Sequence, residues 1–421
     1  MGWSEDAPSV RPLPMSAISL SERAALERAA GAPMLGQVER WALINSGSRN
    51  IAGLDTMAAL LADAFSVLPG PVSLEAPAPV EAVEPDGRVV ALDHGRHLHV
   101  RVRPEAPVQM LFTGHMDTVY GVADPFQALT WQADGTLNGP GVADMKGGIA
   151  LLLAALQAVE RDPAAQGRLG YEVVINADEE VGSAASAALI ARAAAGKVAA
   201  LTYEPALPDG TLAGARAGSG NFSITVSGRS AHAGRNPEEG RNAVLAAADL
   251  ALRLKAESGV ADGHGFSCNP ARIDGGGPNN VVPAHAILRV NFRPRLPEDE
   301  AAALRLLDAA MTAVARDHDV TLHRHGGFSR PPKPVDPGAE RLFRLVGECG
   351  SALGIPIARR DTGGVCDGNN IAACGVPVVD TMGVRGGAIH SPDEYLIVES
   401  LAERAMLSTL TILRIAERGA P

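Results

Sequence analysis

The sequence predicts an α/β protein of two domains: a larger one with a mostly parallel sheet and helices on both faces, and a small α+β domain inserted into it. Three observations carry this expectation. The 421 residues are too many for one ordinary core. Between residues 108 and 203 apolar strands alternate with helices, the pattern of βαβ units. Beyond Ala215 the strands alternate apolar with polar residues, as in a sheet covered on one face.

Residues 16–66 read as two helical segments around the turn NSGSRN, followed by a β-rich stretch with RVVAL and LHVRVR. Next come strand VQMLFT, helix GGIALLLAALQAVE, strand YEVVIN, helix ASAALIARAAA and strand VAALTY. The insertion then reads β-α-β-α-β: FSITVSG, helix NAVLAAADLALRLKAE, HAILRVNFR, helix EDEAAALRLLDAAMTAVARD and VTLHRH. FSRPPKPVDPG reads as a linker, after which helix GAERLFRLVGECG and strand VPVVDTMG resume the first pattern. The larger domain is thus expected at 1–214 and 330–421, with the insertion at 215–329.

Composition narrows the function. A net charge of −11, from 48 acidic against 37 basic residues, argues against nucleic acid or an anionic membrane as partner. Aromatics are 4%, which leaves no obvious stacking platform for bases or sugars. Cys268, Cys349, Cys366 and Cys374 show no CxxC spacing and read as free buried thiols in a reducing compartment. The opening MGWSEDAPSVRPLP has no apolar segment, and the longest apolar run, IALLLAALQAV, is too short to span a bilayer. A soluble, cytoplasmic chain is expected.

In open α/β sheets, ligands bind outside the carboxyl ends of the strands. VQMLFT runs into GHMD, with His115 and Asp117, and the connection GPGVADMKGG sets Asp144 before a helix. YEVVIN runs into ADEE, with Glu179 and Glu180; VAALTY is followed by Glu204; VPVVDTMG leads through VRGGA to His390. Singly, each has a bland alternative: a capping histidine, a solvated EE pair, an aspartate that only caps a helix. Together they would place two imidazoles and several carboxylates at one edge of one sheet. Without a thiol, that set suits zinc, cobalt or manganese better than calcium or magnesium. Five ligands exceed what one tetrahedral zinc with an open position uses, whereas two metals sharing a bridging carboxylate would use them all. Divalent cations would also neutralise acids that otherwise raise one another's pKa.

Other groups fit worse. In HLHVRVR the alternation puts His97, His99, Arg101 and Arg103 on one face, so a solvated strand face is expected there, and with it His94, instead of a metal cluster. Lys146 is followed by glycine, so GPGVADMKGG is not a phosphate loop. DGGGPNN reads as a turn between strands, and no GxSxG elbow is present.

The segments GHMDTV, GPGVADMKGG, ADEEVGS, SGRSAHAG, NVVP (280–283) and IHSPDEY occur in this order. Over residues 36–415 the chain resembles the dinuclear-zinc amidohydrolases, a family that includes acetylornithine deacetylases, succinyl-diaminopimelate desuccinylases and glutamate carboxypeptidases. GSGNFSITVSGRSAHAG and GGVCDGNN most resemble the glutamate carboxypeptidase branch. The resemblance implies two Zn2+ per chain, with Co2+ or Mn2+ able to substitute. His115, Asp144 and Glu204 would hold one, and Asp144, Glu180 and His390 the other, Asp144 bridging. Glu179 would be the general base, and Asp117 would orient His115. The insertion would be a lid and dimerisation domain, making a homodimer in which His232 reaches the partner's site and stabilises the oxyanion. Asn280 and Arg330 would contact substrate, Arg330 through a carboxylate. The family's Asp-x-Arg stands here as Asn291-Phe292-Arg293, which puts an ion pair of the insertion in question.

The implied reaction is hydrolysis of an N-acyl amino acid or small peptide, releasing an amino acid with a free carboxylate. The two metals would supply a bridging hydroxide, and Glu179 would take the water's proton and pass it to the leaving amine. Two alternatives remain: an N-deacylase of acetylornithine or desuccinylase type, and a metal-binding relative without catalysis. The presence of Glu179 speaks against the second, since a metal store needs no base beside its ligand.

Overall fold

The computed structural model describes residues 18–259, 263 and 265–421, so the proline-rich opening lies outside the described residues. The larger domain is built on a six-stranded sheet. Its spatial order is Val72–Glu75, His97–Val102, Leu169–Asn176, Val108–His115, Ala199–Thr202 and Val378–Val379. The last four strands are mutually parallel, and the first two are antiparallel additions at one edge.

Helices lie on both faces because each central strand is apolar on both. Met110, Phe112, Val173, Ile175 and Leu201 point into one core, with the helices Leu20–Ala30, Met34–Ala42, Gly147–Val159 and Ser400–Arg418. Leu111, Val174 and Ala200 point into the other, against Ala187–Ala194 and Asp367–Ala373. The stretch Val142–Val159 is long and apolar enough to cross a membrane, but 94% of it is buried within the protein. A helix apolar on every side is here a core helix.

The small domain is a four-stranded antiparallel sheet in the order Phe266–Gly275, His285–Pro294, Ser219–Ser227, Thr321–Arg330. Helices Ala243–Ala256 and Pro297–His318 cover one face through Leu250, Leu254, Leu307 and Val314. The hairpin formed by Val80–Val83 and Val89–Leu92 reaches across from the larger domain, where the carbonyl of Val83 accepts from Arg289 Nη2 (2.8 Å).

Several local expectations need correction. Pro33 divides the first helical stretch, so three helices precede the sheet: Leu20–Ala30, Met34–Ala42 and Ile51–Phe65. The insertion gains the strand Phe266–Gly275, which takes in the first residues of the expected turn. Its polar sequence hides it, and Pro270 is tolerated because the strand lies at a sheet edge beside a register shift. Phe328–Arg330, expected in a linker, finish a strand that Pro331 and Pro332 then end. The face of His97, His99, Arg101 and Arg103 is solvated only in part: Arg101 is exposed, but both histidines are buried. His99 is buried between Glu75 (3.3 Å) and Glu172 (2.6 Å), carboxylates that the two neighbouring strands supply. Cys374 is exposed, while the other three cysteines are buried.

One close packing contact reaches towards the strand ends. Gly148, in the first turn of Gly147–Val159, lies so near Tyr203 that a Cβ would overlap the Tyr203 carbonyl oxygen. Gly347, within Pro337–Leu353, has nothing within 4 Å of its Cβ position. Gly148→Ala should therefore cost about 1–3 kcal/mol by overpacking. Gly347→Ala should add about 0.5–1 kcal/mol through helix propensity. Urea unfolding of the two variants measures both, and a neutral Gly148→Ala would remove the close-approach argument.

Candidate metal centre

The ends of three parallel strands supply the centre. His115 ends Val108–His115, Glu179 and Glu180 follow Leu169–Asn176 in a short turn, and Glu204 follows Ala199–Thr202. Asp144 lies in the turn that leads into the core helix, and His390 sits in a loop with a left-handed φ of 63°.

Asp144 is central. Its Oδ1 lies 3.1 Å from His115 Nε2, and its Oδ2 lies 3.3 Å from His390 Nε2. Glu204 Oε2 is 3.7 Å from the same nitrogen of His115, and Glu180 Oε2 is 3.2 Å from that of His390. The five candidate ligands thus form two half-sites that share one carboxylate. Ligand atoms of His115, Asp144 and Glu180 lie within 4.8 Å of one another, as do those of His115, Glu179 and Glu204. Glu179 differs from the other acids in its partner: its Oε1 accepts from Arg330 Nη2 (2.6 Å).

The charges are poorly balanced by protein alone. Burial pushes Glu179 up to about 8 despite the pull of Arg330. Burial, opposed by His115, takes Glu204 to about 8, and burial with the repulsion of Asp144 takes Glu180 to about 7. Hydrogen bonds to Asp144 and Glu180 raise His390 to about 10. Burial disfavours the charged form of His115, yet Glu204, Asp117 and Asp144 outweigh it and raise its pKa well above the ordinary value. These groups draw protons because positive charge is scarce, the condition in which divalent cations bind. Two imidazoles and three carboxylates, arranged around a shared aspartate, fit a pair of zinc-class ions.

A buried framework holds the ligands. Asp117 Oδ2 accepts from Ser48 Oγ (2.7 Å) and the Glu180 amide (3.2 Å), and its Oδ1 accepts from the Glu179 amide (3.1 Å). The same carboxylate lies 3.4 Å from His115 Nδ1, while the Asp117 carbonyl lies 3.0 Å from it. Glu394, quoted in IHSPDEY but given no role from sequence, is buried behind Asp144. Its Oε1 accepts from the amides of Ala143 (3.0 Å) and Asp144 (3.1 Å), and Oε2 faces the Tyr120 hydroxyl (2.8 Å). Its place four residues after His390 was the available signal.

Arg330 is brought to the centre but is 2% exposed. Nη2 donates to Glu179 Oε1 and lies near its carbonyl (3.2 Å) and Ser183 Oγ (2.9 Å); Nη1 faces Asp367 Oδ1 (2.5 Å) and Asn370 Oδ1 (2.8 Å). Both terminal nitrogens are thus engaged, which does not fit the expected grip on a substrate carboxylate. His232 and Asn280 lie on segments that pair with each other, and neither hydrogen-bonds a candidate ligand among the described residues. The Ala233 amide donates to the Asn280 carbonyl (2.9 Å), and His232 bridges to Val281. Both are exposed, at the end of Ser219–Ser227 opposite Arg330, roughly 27 Å along the strand. In place of an Asp-x-Arg ion pair, Arg293 Nε donates to Asn291 Oδ1 (2.7 Å).

Four of the five candidate ligands, Asp144, Glu180, Glu204 and His390, line a cavity of about 520 Å3 that Arg216, Arg360, Thr362 and Gly363 also line.

A family model described as Peptidase family M20/M25/M40 matches residues 111–414. Carboxypeptidase G2 of Pseudomonas sp. (strain RS-16) is 30% identical over 333 residues, covering 76% of this chain and 77% of that protein. Succinyl-diaminopimelate desuccinylase of Janthinobacterium sp. (strain Marseille) is 28% identical over 341 residues, covering 76% and 88%. Among solved structures, a tripeptidase from Staphylococcus aureus subsp. aureus Mu50 superposes with a TM-score of 0.71 at 23% identity, covering 93% of this chain and 99% of that one. Aminopeptidase PepT from Bacillus cereus ATCC 10987 gives 0.70 at 21%, with the same coverage; both show the fold alone. The matched residues contain the strand ends and all five candidate ligands, and the chain is a metallohydrolase belonging to peptidase family M20/M25/M40.

Proposed function

We propose that this hydrolase cleaves the amide bond of N-acyl amino acids or small peptides in the manner of a glutamate carboxypeptidase, releasing an amino acid with a free carboxylate. The observation that carries the reading is Asp144 between two imidazoles, with Glu179 beside the ligand Glu180 but turned to Arg330. Two zinc-class ions, when bound, supply Lewis acidity and a water of lowered pKa. His115, Asp144 and Glu204 would hold one, and Asp144, Glu180 and His390 the other. Glu179 accepts the water's proton and delivers it to the leaving nitrogen. Arg330 fixes the Glu179 carboxylate so that one oxygen keeps its direction, and Asp117 fixes His115 and the backbone of both glutamates. An N-deacylase of desuccinylase type uses the same machinery, and similarity to desuccinylases over three quarters of the chain favours keeping it as the second reading. The preferred acyl group, read from a substrate panel, separates the two.

Two metals per chain are expected by elemental analysis. Chelation should abolish turnover, and zinc, cobalt or manganese should restore it. Full activity with one ion would sink the shared-ligand arrangement.

Glu179→Gln should keep its metals and lose about 10²–10⁴-fold in kcat, because an amide cannot take the proton. Glu180→Gln should first weaken metal binding. Near-normal kcat in Glu179→Gln would assign the base elsewhere.

We further propose a homodimer in which His232 acts across the two-fold axis, a role its distance from Arg330 along the strand makes difficult within one chain. Glu179→Ala and His232→Ala should each be nearly inactive alone. Subunit exchange between them should recover about a quarter of wild-type activity, since half the dimers are mixed and each has one whole site. No recovery after verified exchange would place His232 in its own chain or outside catalysis.

A further inference from the structure

Besides the candidate ligands, the cavity is lined by residues of the paired strands Leu212–Arg216 and Arg359–Thr362 and of the turn after the latter, a second wall. Two arginines belong to that second wall, and they differ. Arg216 is buried and gripped by Asp380 through Nε (2.8 Å) and Nη2 (3.1 Å), with Nη1 on the Gly364 carbonyl (3.2 Å). Arg360 is exposed, and its side chain makes no hydrogen bond or ion pair among the described residues. Its neighbours are held elsewhere: Arg359 pairs with Glu340 (2.7 Å), and Asp361 accepts the Ala215 amide (2.8 Å). Asp209, on the loop beside the cavity, feels the charge of Arg360 but is turned onto the Thr211 amide (2.9 Å). Arg330 has both terminal nitrogens engaged, so Arg360 is the guanidinium left with donors to offer.

We propose that Arg360 binds a carboxylate of the substrate in the cavity that it lines together with the candidate metal ligands, and so makes the enzyme selective for anionic N-acyl amino acids. The inference rests on the hydrolase reading above and assigns its specificity to one residue. A guanidinium forks onto a carboxylate through two parallel hydrogen bonds, and this chemistry recognises the anion without touching the scissile bond. Two carboxylates could occupy it: the α-carboxylate of the released amino acid, or one in its side chain.

The test compares metal-loaded wild type with Arg360→Gln on N-acetylglutamate, N-acetylglutamine and the α-amide of N-acetylglutamine. Metal content confirms that the exposed substitution leaves the centre intact. KM should rise about ten- to a hundred-fold for every substrate carrying the bound carboxylate, with kcat changed by less than about three-fold. A loss on N-acetylglutamate alone assigns the side-chain carboxylate; a loss on both acids, spared in the α-amide, assigns the α-carboxylate. Unchanged KM on all three overturns the proposal. If the wild type turns over none of them, the hydrolase reading fails for this substrate class, and calorimetric binding of glutarate then decides the arginine separately. Equal affinity of wild type and Arg360→Gln for glutarate would also overturn it.

Discussion

The centre is governed by the crowding of buried negative charge. Asp144, Glu180 and Glu204 converge with Glu179 on the lining of one cavity, each largely buried, and the two imidazoles cannot neutralise them all. Isolated carboxylates in such a place would protonate. His115 and His390 hold Asp144 ionised, whereas burial raises the glutamates, and bound cations would remove that penalty for Glu180 and Glu204. The surrounding structure serves the same end. Three parallel strands deliver the acids to one edge, and Glu394, Asp117 and Ser48 fix the backbone that carries them.

Adjacent residues acquire different chemistry from different partners. Glu180 faces His390 and Asp144, which suits the ligand role proposed for it. Glu179, one residue earlier, faces Arg330 and keeps an oxygen oriented without a metal. A short turn after one strand is enough to send the two side chains to separate tasks. Neither glutamate's sequence context distinguishes them; the partner does.

The strand-end acids and histidines were legible because parallel topology leaves few places for a site, and the run of βαβ units marks those places. Features set by distant partners were not legible. The strand Phe266–Gly275 is polar and contains Pro270, so only its pairing with His285–Pro294 reveals it. His99 is buried because Glu75 and Glu172 arrive from neighbouring strands, which its own alternation cannot announce. Arg330 carried a family likeness but no hint that Glu179, Ser183 and Asp367, remote in sequence, would use its donors. Glu394 lay in plain view within a quoted motif, and its role depends on the amides of Ala143 and Asp144, about 250 residues earlier.

Arg330 is the last residue of the strand Thr321–Arg330, and its side chain grips Glu179 of the other domain. The last residue of the inserted sheet is therefore tied to the acid proposed above as general base. The position of that sheet and the orientation of the Glu179 carboxylate are thus coupled through one guanidinium. Substitutions in the inserted sheet that alter its resting angle would thus be read out as changes in turnover, even where they leave the metals and the cavity untouched.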